Sequence, residues 1–257
     1  MRRCAILLVL LLSAACESSP IDWKDPVALQ RSSPTARLVV DSTGSARYVA
    51  DSVRLVATPR AAALCARSVA TALGTTRAFA VWWAIRKDSS ADLVVSSSSD
   101  SGRTWQPTMS VDTSDVSSNG CNRPRPALAT VGDDLFVAYS MVAPEGKGVF
   151  FAHSMGGMLH SPVAVIYGER LVAVAIAADA NRVAVAYEEP NGTRERVDLA
   201  LSSTMGHIFE LHTVASRDVD AATTPDVAFA GPMVAVAWTQ HTLGGAAGSV
   251  VRVGRIK

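Results

Sequence analysis

A short apolar segment that ends in an aromatic residue occurs four times, and this repetition restricts the possible folds more than any other feature of the sequence. The aromatic residues lie 57, 48 and 51 residues apart. Runs this short, bounded by Gly, Asp and Pro, favour buried strands over helices. A period of about 50 residues is typical of a chain built from one repeated supersecondary unit. The four segments are Ala78–Trp82, Leu135–Tyr139, Val183–Tyr187 and Val234–Trp238.

Each repeat contains further strand-like runs around this segment. A preceding run is separated from it by a turn rich in Gly, Asp, Asn or Pro, which favours a hairpin. The preceding runs are Ala62–Ala70, Ala127–Val131, Leu171–Ala177 and Asp226–Ala230. After the segment that ends in the aromatic residue, which is the second run of each repeat, comes a third run: Asp92–Ser96, Gly148–Ala152, Asp198–Ser202 and Ser249–Val253. The first three repeats have a fourth run, at Thr108–Val111, Val163–Tyr167 and Leu211–Ala215.

Four antiparallel strands in each repeat predict an all-β fold, a β-propeller of four-stranded blades. No segment has the pattern of an amphipathic helix. The last repeat ends after its third strand, so we expect an N-terminal strand, Arg37–Val40 or Val53–Ala57, to complete it and remove the exposed edges. Four blades are predicted, and five are the alternative if residues 36–58 form a further partial blade.

The turn between the third and fourth strands of the first repeat carries the sharpest motif, Ser98-Ser99-Asp100-Ser101-Gly102-Arg103-Thr104-Trp105. Asp100 can accept backbone N–H groups of its own turn, and Gly102 can adopt a positive φ. Trp105 can then pack its ring against the blade. Degenerate copies at residues 152–159 and 202–209 are in phase with the strands. The motif residues, Ser98, Asp100, Gly102, Thr104 and Trp105, resemble the Asp-box of sialidase-like propellers, and we expect them to be structural. The resemblance to this family covers residues 60–257.

The resemblance implies a glycosidase mechanism only where the family's catalytic groups are present. Sialidases use a Tyr nucleophile paired with a Glu, an Asp acid/base and three arginines that bind the sugar carboxylate. The first arginine belongs to an Arg-Ile-Pro motif, which this chain lacks. Arg60 follows Pro59 in the reverse order, and the Arg123–Pro126 segment comes after the intact motif. No catalytic residue is therefore carried over, and we expect no sialidase activity.

The N-terminus has the pattern of a secretory signal. Arg2 and Arg3 precede eight apolar residues and the sequence Ser13-Ala14-Ala15-Cys16. Eight residues are too few to cross a hydrocarbon layer about 30 Å thick. The segment resembles the lipobox of bacterial lipoproteins, in which the cysteine is acylated and becomes the first mature residue. Ser13 replaces the usual Leu, so ordinary cleavage is the alternative. Glu17, not Asp, follows the cysteine, which by family analogy favours the outer membrane.

These features predict three regions: a signal peptide at 1–15, a lipidated tether at 16–35 and the propeller domain at 36–257. Loss of Arg2 and Arg3 lowers the basic residues from 24 to 22, against 23 acidic residues. This balance argues against nucleic acid as an electrostatic partner, and the membrane is expected to be contacted through the lipid only. After export, two cysteines remain, Cys65 and Cys121, and we expect them to form a disulfide; two buried thiols are the alternative.

Polar residues near the predicted inner strands are the candidate binding residues: Arg67, Arg123, Arg125, Glu188 and Asp226. An arginine can bind a carboxylate through its planar fork, but these side chains can equally pair with one another. The aromatic residues of the repeats can form a sugar-stacking surface or pack the blades, and one equivalent residue per repeat favours packing. Five histidines are scattered over different turns and strands, none at helical metal-binding spacing, so no metal and no cofactor is expected.

The sequence thus predicts a non-catalytic binding or scaffold propeller, lipid-anchored in the bacterial envelope, whose partner is an envelope protein or a surface glycan. A reduced glycoside hydrolase of sialidase-like type is the alternative. A stabilising subunit of an envelope complex, without a small ligand, is a third. Fold alone does not decide between them.

Overall fold

The computed structural model describes residues 19–31, 33, 35–50, 55, 57–192, 195–216, 221–241 and 247–257. The signal peptide and Cys16 therefore lie outside the described residues. The described chain is all-β, with twenty strands and one short 3-10 helix, Arg60–Ser68. No helix among these residues is long and apolar enough to cross a membrane.

Three sheets are antiparallel meanders in chain order, as the repeats predict. The first contains β5 (Ala70–Leu73), β6 (Ala78–Ile85), β7 (Ala91–Ser98) and β8 (Met109–Asp112). The second contains β9 (Ala127–Val131), β10 (Asp134–Ala143), β11 (Gly146–Met155) and β13 (Val163–Gly168), with the short β12 (Met158–Leu159) also pairing with β11. The third contains β14 (Val174–Asp179), β15 (Arg182–Glu188), β16 (Val197–Ser202) and β17 (Leu211–Val214).

The fourth sheet is completed by the N-terminal part of the chain. It contains β18 (Ala221–Ala230), β19 (Met233–His241) and β20 (Gly248–Ile256), and the outer positions are filled by β1 (Ile21–Trp23) and β2 (Val27–Ala28). A Cβ atom at Gly254 would lie 2.4 Å from Ile21 Cγ2 and 2.7 Å from Trp23 Cε3, so the glycine leaves room for these two side chains.

This closure corrects two predictions. An N-terminal segment does complete the last repeat, but it consists of residues 21–23 and 27–28 and not of Arg37–Val40. The other predicted segment, Val53–Ala57, lies mostly outside the described residues. Residues 21–23 and 27–28 lie in the sheet, not in the predicted tether at 16–35. Arg37–Val40 (β3) pairs with Ala46–Val49 (β4) in a separate two-stranded sheet. The described residues therefore form five sheets.

The run Ala62–Ala70 was predicted as an inner strand and is instead mostly helical, because it contains little that favours a strand. Its alanines lack β-branching, and Pro59, whose φ is fixed by its ring, stands at the start of the helix. Ala62, Cys65 and Ser68 are the buried residues, spaced by three, which matches the period of a 3-10 helix. The inner strand begins only at Ala70.

The core lies between successive sheets. One apolar cluster joins the first and second sheets, another the second and third, a third the third and fourth, and a fourth joins the fourth sheet to β3 and β4. The aromatic residues of the repeats belong to this core and are at most 3% exposed: Trp82, Trp83, Tyr139, Tyr187 and Trp238. They therefore pack the sheets, and a sugar-stacking surface made of them is excluded.

Candidate functional site

One strand from each of the five sheets lines a common cavity of about 640 Å³. These inner strands are β3, β5, β9, β14 and β18. Most of the lining residues are apolar in type, and the polar side chains that line the cavity include Arg37, Thr71 and Asp226. Thr130 also lines it, but its hydroxyl donates to the carbonyl oxygen of Leu73 at 2.6 Å.

The inner strands begin at a common end of this cavity, which we call the channel mouth. Two contacts fix the relative direction of β5 and β9: Arg125 Nε donates to Val69 O at 2.8 Å before these strands begin, and Thr130 contacts Leu73 where they end. Both strands therefore run away from the mouth.

A carboxylate joins the third and fourth sheets at the mouth. Glu188 Oε1 accepts a hydrogen bond from the backbone N–H of Thr224 at 2.9 Å, and Oε2 faces the N–H of Ala173 at 3.4 Å. Thr224 has a φ of +49° and lies at a β-bulge in β18. A positive φ is costly for a β-branched residue and persists only where its surroundings enforce it. Both oxygens of Glu188 are thus used to hold this backbone.

Asp226 and Tyr48 form the second polar group of the mouth. The Tyr48 hydroxyl donates to the Asp226 carboxylate, and the Arg31 guanidinium lies 5.0 Å from the centre of the Tyr48 ring. Desolvation raises the pKa of Asp226, and the positive charge of Arg31 opposes this rise. Desolvation, reinforced by the negative charge of Asp226, raises the pKa of Tyr48 to about 12.

Two exposed arginines complete the channel mouth. Arg37 starts β3 and lines the cavity, whereas Arg125 lies outside the lining, two residues before β9 and beside the start of β5. Within the described part of the chain, the guanidinium of Arg37 has no hydrogen-bond partner, and that of Arg125 uses only its Nε. Desolvation lowers the pKa of Arg125 below its usual value, but an arginine stays charged at any physiological pH. The channel mouth therefore presents guanidinium groups that can pair with an anion.

Two of the five predicted binding residues, Arg123 and Arg67, do not lie at the channel mouth. Arg123 is buried, and its ion pair with Asp115, at 3.0 Å, has side chains 0% and 1% exposed. Its guanidinium also donates to carbonyl oxygens of Ser89, Ser117 and Gly120, so it cannot meet a ligand. Arg67 is exposed in the last turn of the 3-10 helix and does not line the cavity.

Sequence reasoning missed Arg31, Arg37 and Tyr48 as members of the mouth. Arg31 falls in the segment predicted as a tether, and Arg37 in the strand predicted to close the last blade. The signal that could have found Arg37 and Tyr48 is a pair of short strand-like runs, Arg37–Val40 and Ala46–Val49, on either side of the turn residues 41–44, which is typical of a hairpin.

The turn at Ser98–Trp105 has the geometry that its sequence predicts. Asp100 Oδ1 accepts from Thr104 N at 2.8 Å, Asp100 Oδ2 accepts from the Thr104 hydroxyl at 2.6 Å, and Gly102 has a φ of +85°. Trp105 packs against the first sheet, and its Nε1 donates to Ala57 O at 3.2 Å. The hydrogen bonds of Asp100 stay within the turn, and that of Trp105 ties the turn to the chain before the 3-10 helix, which supports a structural role.

Replacing Asp100 with Ala should lower the melting temperature by a few degrees and reduce the loss of stability in acid. Hydrogen bonds from Thr104 lower the pKa of Asp100 from 3.8 to about 2. The stabilisation is therefore fully present above pH about 4 and disappears as the pH falls towards about 2. Thermal unfolding between pH 2 and 7 tests this expectation. Equal pH dependence in the variant and the wild type would contradict it.

Three histidines from different turns and strands meet at the end of the sheets opposite the channel mouth. The rings of His153 and His160 are stacked, with centroids 4.6 Å apart, and His207 stands edge-on 4.9 Å from His153. Desolvation, reinforced by the charges of His160 and His207, lowers the pKa of His153 to about 4. Among the described residues, no group of three or more imidazole, thiolate or carboxylate side chains is arranged to hold a metal ion.

No family model matches the chain, and no curated protein matches it. Solved structures of similar fold include a protein of unknown function from Dyadobacter fermentans (10% identity, TM-score 0.48). That alignment covers 93% of this chain and 100% of the Dyadobacter chain. They also include the sialidase of Trypanosoma rangeli (14% identity, TM-score 0.48), with 84% of this chain and 39% of the other covered. A third is a xylan β-1,4-xylosidase from Bacillus halodurans (10% identity, TM-score 0.43), for which the alignment covers 85% of this chain and 52% of the xylosidase. The similarity extends to sialidases and other glycoside-hydrolase propellers at low identity.

Proposed function

We propose that the chain is a non-catalytic binding propeller of the bacterial envelope that takes a carboxylate-bearing ligand, such as an acidic surface glycan, at the channel mouth. Its five sheets would form a ring of five blades, the fifth of them the two-stranded β3–β4 sheet. The observation that carries the proposal is the pair of exposed guanidinium groups, Arg37 and Arg125. A guanidinium binds a carboxylate in two parallel hydrogen bonds, which gives orientation as well as affinity.

The polar groups of the mouth also argue against hydrolysis of a glycoside. Retaining and inverting glycosidases generally need two carboxyl groups that are free to act on the substrate. Glu188 is engaged with two backbone N–H groups, and Asp226 accepts from Tyr48 and, at 3.0 Å, from Val227 N. A tyrosine nucleophile needs activation, whereas the pKa of Tyr48 is raised to about 12.

Replacing either Arg37 or Arg125 with Ala should weaken binding of an acidic glycan by about 10–100-fold. The reason is that a hydrogen bond to a charged group contributes about 1.5–3 kcal/mol. Oligogalacturonate and oligosialic acid are suitable probes, with neutral xylo-oligosaccharides for comparison. Isothermal titration at two salt concentrations measures the effect. Arg103→Ala, at an exposed position in the Ser98–Trp105 turn, is the matched control and should leave affinity unchanged.

Two results would contradict the proposed function. Acidic probes that bind no better than neutral ones, or that bind equally to the arginine variants, would exclude the channel mouth as an anion site. Turnover of a fluorogenic sialoside that is lost in Tyr48→Phe would instead favour the reduced hydrolase.

The envelope location rests on the predicted lipidation of Cys16. We expect intact-mass analysis of the membrane fraction to show an N-terminal acylated cysteine, and Cys16→Ser to release the protein from membranes. Ala14→Ser, which keeps a small residue before the cysteine, is the control and should remain anchored. A Cys16→Ser form that still partitions with membranes would contradict this prediction.

A further inference from the structure

The β11–β12 hairpin brings two methionines and two histidines onto one face. Met155 pairs with Met158 around the two-residue turn Gly156–Gly157, whose φ values are +59° and +84°. His160 N donates to His153 O at 2.9 Å, so the pairing extends one step further along the hairpin.

Side chains two residues apart on a strand point to the same face, and directly paired residues share that face. His153, Met155, Met158 and His160 therefore lie together, in agreement with the 4.6 Å stacking of the two imidazoles. His207, from the turn of the third sheet, adds a third imidazole 6.0 Å from His160.

The two thioethers are exposed where the fold does not require them. Met155 is 38% and Met158 is 72% exposed, so neither fills a core. In the first sheet, the equivalent turn is held by the side chains of Asp100 and Thr104. In the second sheet, backbone pairing and two glycines form the hairpin, and Gly156 N donates to Asp134 Oδ1 at 2.9 Å. The methionine side chains are thus free for another role.

One imidazole of the group also lacks a partner. His153 is 3% exposed, and its Nε2 is buried without a hydrogen bond within the described structure. This imidazole packs beneath the ring of His160 and is not available as a ligand from the solvent side.

We infer that this face of the hairpin binds one soft monovalent metal ion, copper(I), through the thioethers of Met155 and Met158 and the imidazole of His160, with His207 at its border. Thioether sulfur selects copper(I) over the harder divalent ions, and neutral imidazole also suits copper. A site made of imidazoles alone does not fit the geometry. The stacked rings of His153 and His160 have planes 3° apart, so one ion cannot lie in both planes.

Silver(I) is the probe for the test, since it matches copper(I) in softness and needs no reductant that would attack the disulfide. The protein is purified from membranes, free thiols are blocked with N-ethylmaleimide, and silver(I) is titrated against a competing chelator. Methionine methyl resonances are followed by NMR. We expect one equivalent to bind and to shift the methyl signals of Met155 and Met158.

The Met155→Leu/Met158→Leu variant preserves side-chain volume at two exposed positions, so it should fold normally. Loss of an outer-sphere partner already costs about 10–100-fold in metal affinity. Loss of two direct ligands should therefore weaken silver(I) binding by at least about 100-fold. Met109→Leu, at a methionine 53% exposed in the first sheet, is the matched control and should bind like the wild type.

Three results would overturn the inference. The first is the lack of saturable silver(I) binding by the wild type. The second is equal affinity in the double variant. The third is tight zinc(II) binding that survives in the double variant and disappears in His160→Gln, which would indicate a site built from imidazoles alone.

Discussion

Replacing Arg123 with Met should lower the free energy of unfolding by about 3–5 kcal/mol, because the change leaves the buried charge of Asp115 without its partner. Both side chains are at most 1% exposed, so water cannot replace the lost guanidinium. Asp115 would keep only its hydrogen bonds from the backbone N–H and hydroxyl of Ser117. Urea denaturation followed by tryptophan fluorescence measures the loss.

The control for this prediction is an ion pair closer to solvent. Arg182 and Asp179 have side chains 30% and 41% exposed, and Arg182→Met should cost about 0–1 kcal/mol. An Arg123→Met/Asp115→Asn double variant should recover part of the stability lost in the single variant. A loss below about 1 kcal/mol in Arg123→Met would mean that solvent or a rearrangement satisfies Asp115, contrary to the structure.

Removal of the disulfide should have the second large effect. Cys65 and Cys121 are bonded, with Cα atoms 5.4 Å apart and 56 residues of sequence separation, which confirms the predicted pair. The bond ties the 3-10 helix to the segment that carries Arg123 and Arg125. The Cys65→Ser/Cys121→Ser variant should therefore lose about 2–5 kcal/mol of stability.

Calorimetry with and without reductant tests this second prediction. Reductant should lower the melting temperature of the wild type towards that of the double variant, and it should leave the variant unchanged. If the wild type melted at the same temperature in both conditions while the bond was fully reduced, the disulfide would not stabilise the fold.

The strands of the repeats were predictable because their pattern is local. Alternating apolar residues and turn residues indicate a hairpin without reference to the rest of the chain, and the segments that end in Trp82, Tyr139, Tyr187 and Trp238 are buried strands as predicted. The disulfide was also predictable, since only two cysteines lie outside the predicted signal peptide and its lipidation site.

The closure and the channel mouth were harder to predict because they depend on contacts between distant parts of the chain. Ile21–Trp23 has three residues and no repeat of its own, and only the space left by Gly254 in β20 makes it a suitable edge strand. Tyr48 and Asp226 are 178 residues apart in sequence, and they meet because β3 packs beside β18.

The predicted binding residues show why residue type alone misassigns a site. Arg123 and Arg125 are two positions apart and equally polar, yet the first is in the core and the second is exposed. The three histidines show the converse, because His153 and His160 lie on one hairpin and His207 comes from the next sheet. Helical spacing rules cannot detect such a group, whereas the paired positions of a hairpin can.

The strand β1 also determines how an anchored molecule would stand on a membrane. Ile21 pairs with Ile256, and Ile256 N donates to Pro232 O in the turn that follows inner strand β18, so the chain enters the domain at the end opposite the channel mouth. Five residue steps separate Cys16 from Ile21, a reach of about 18 Å at full extension. A lipid at Cys16 would therefore turn this end of the domain towards the bilayer, with Arg37 and Arg125 at the end directed away from the membrane.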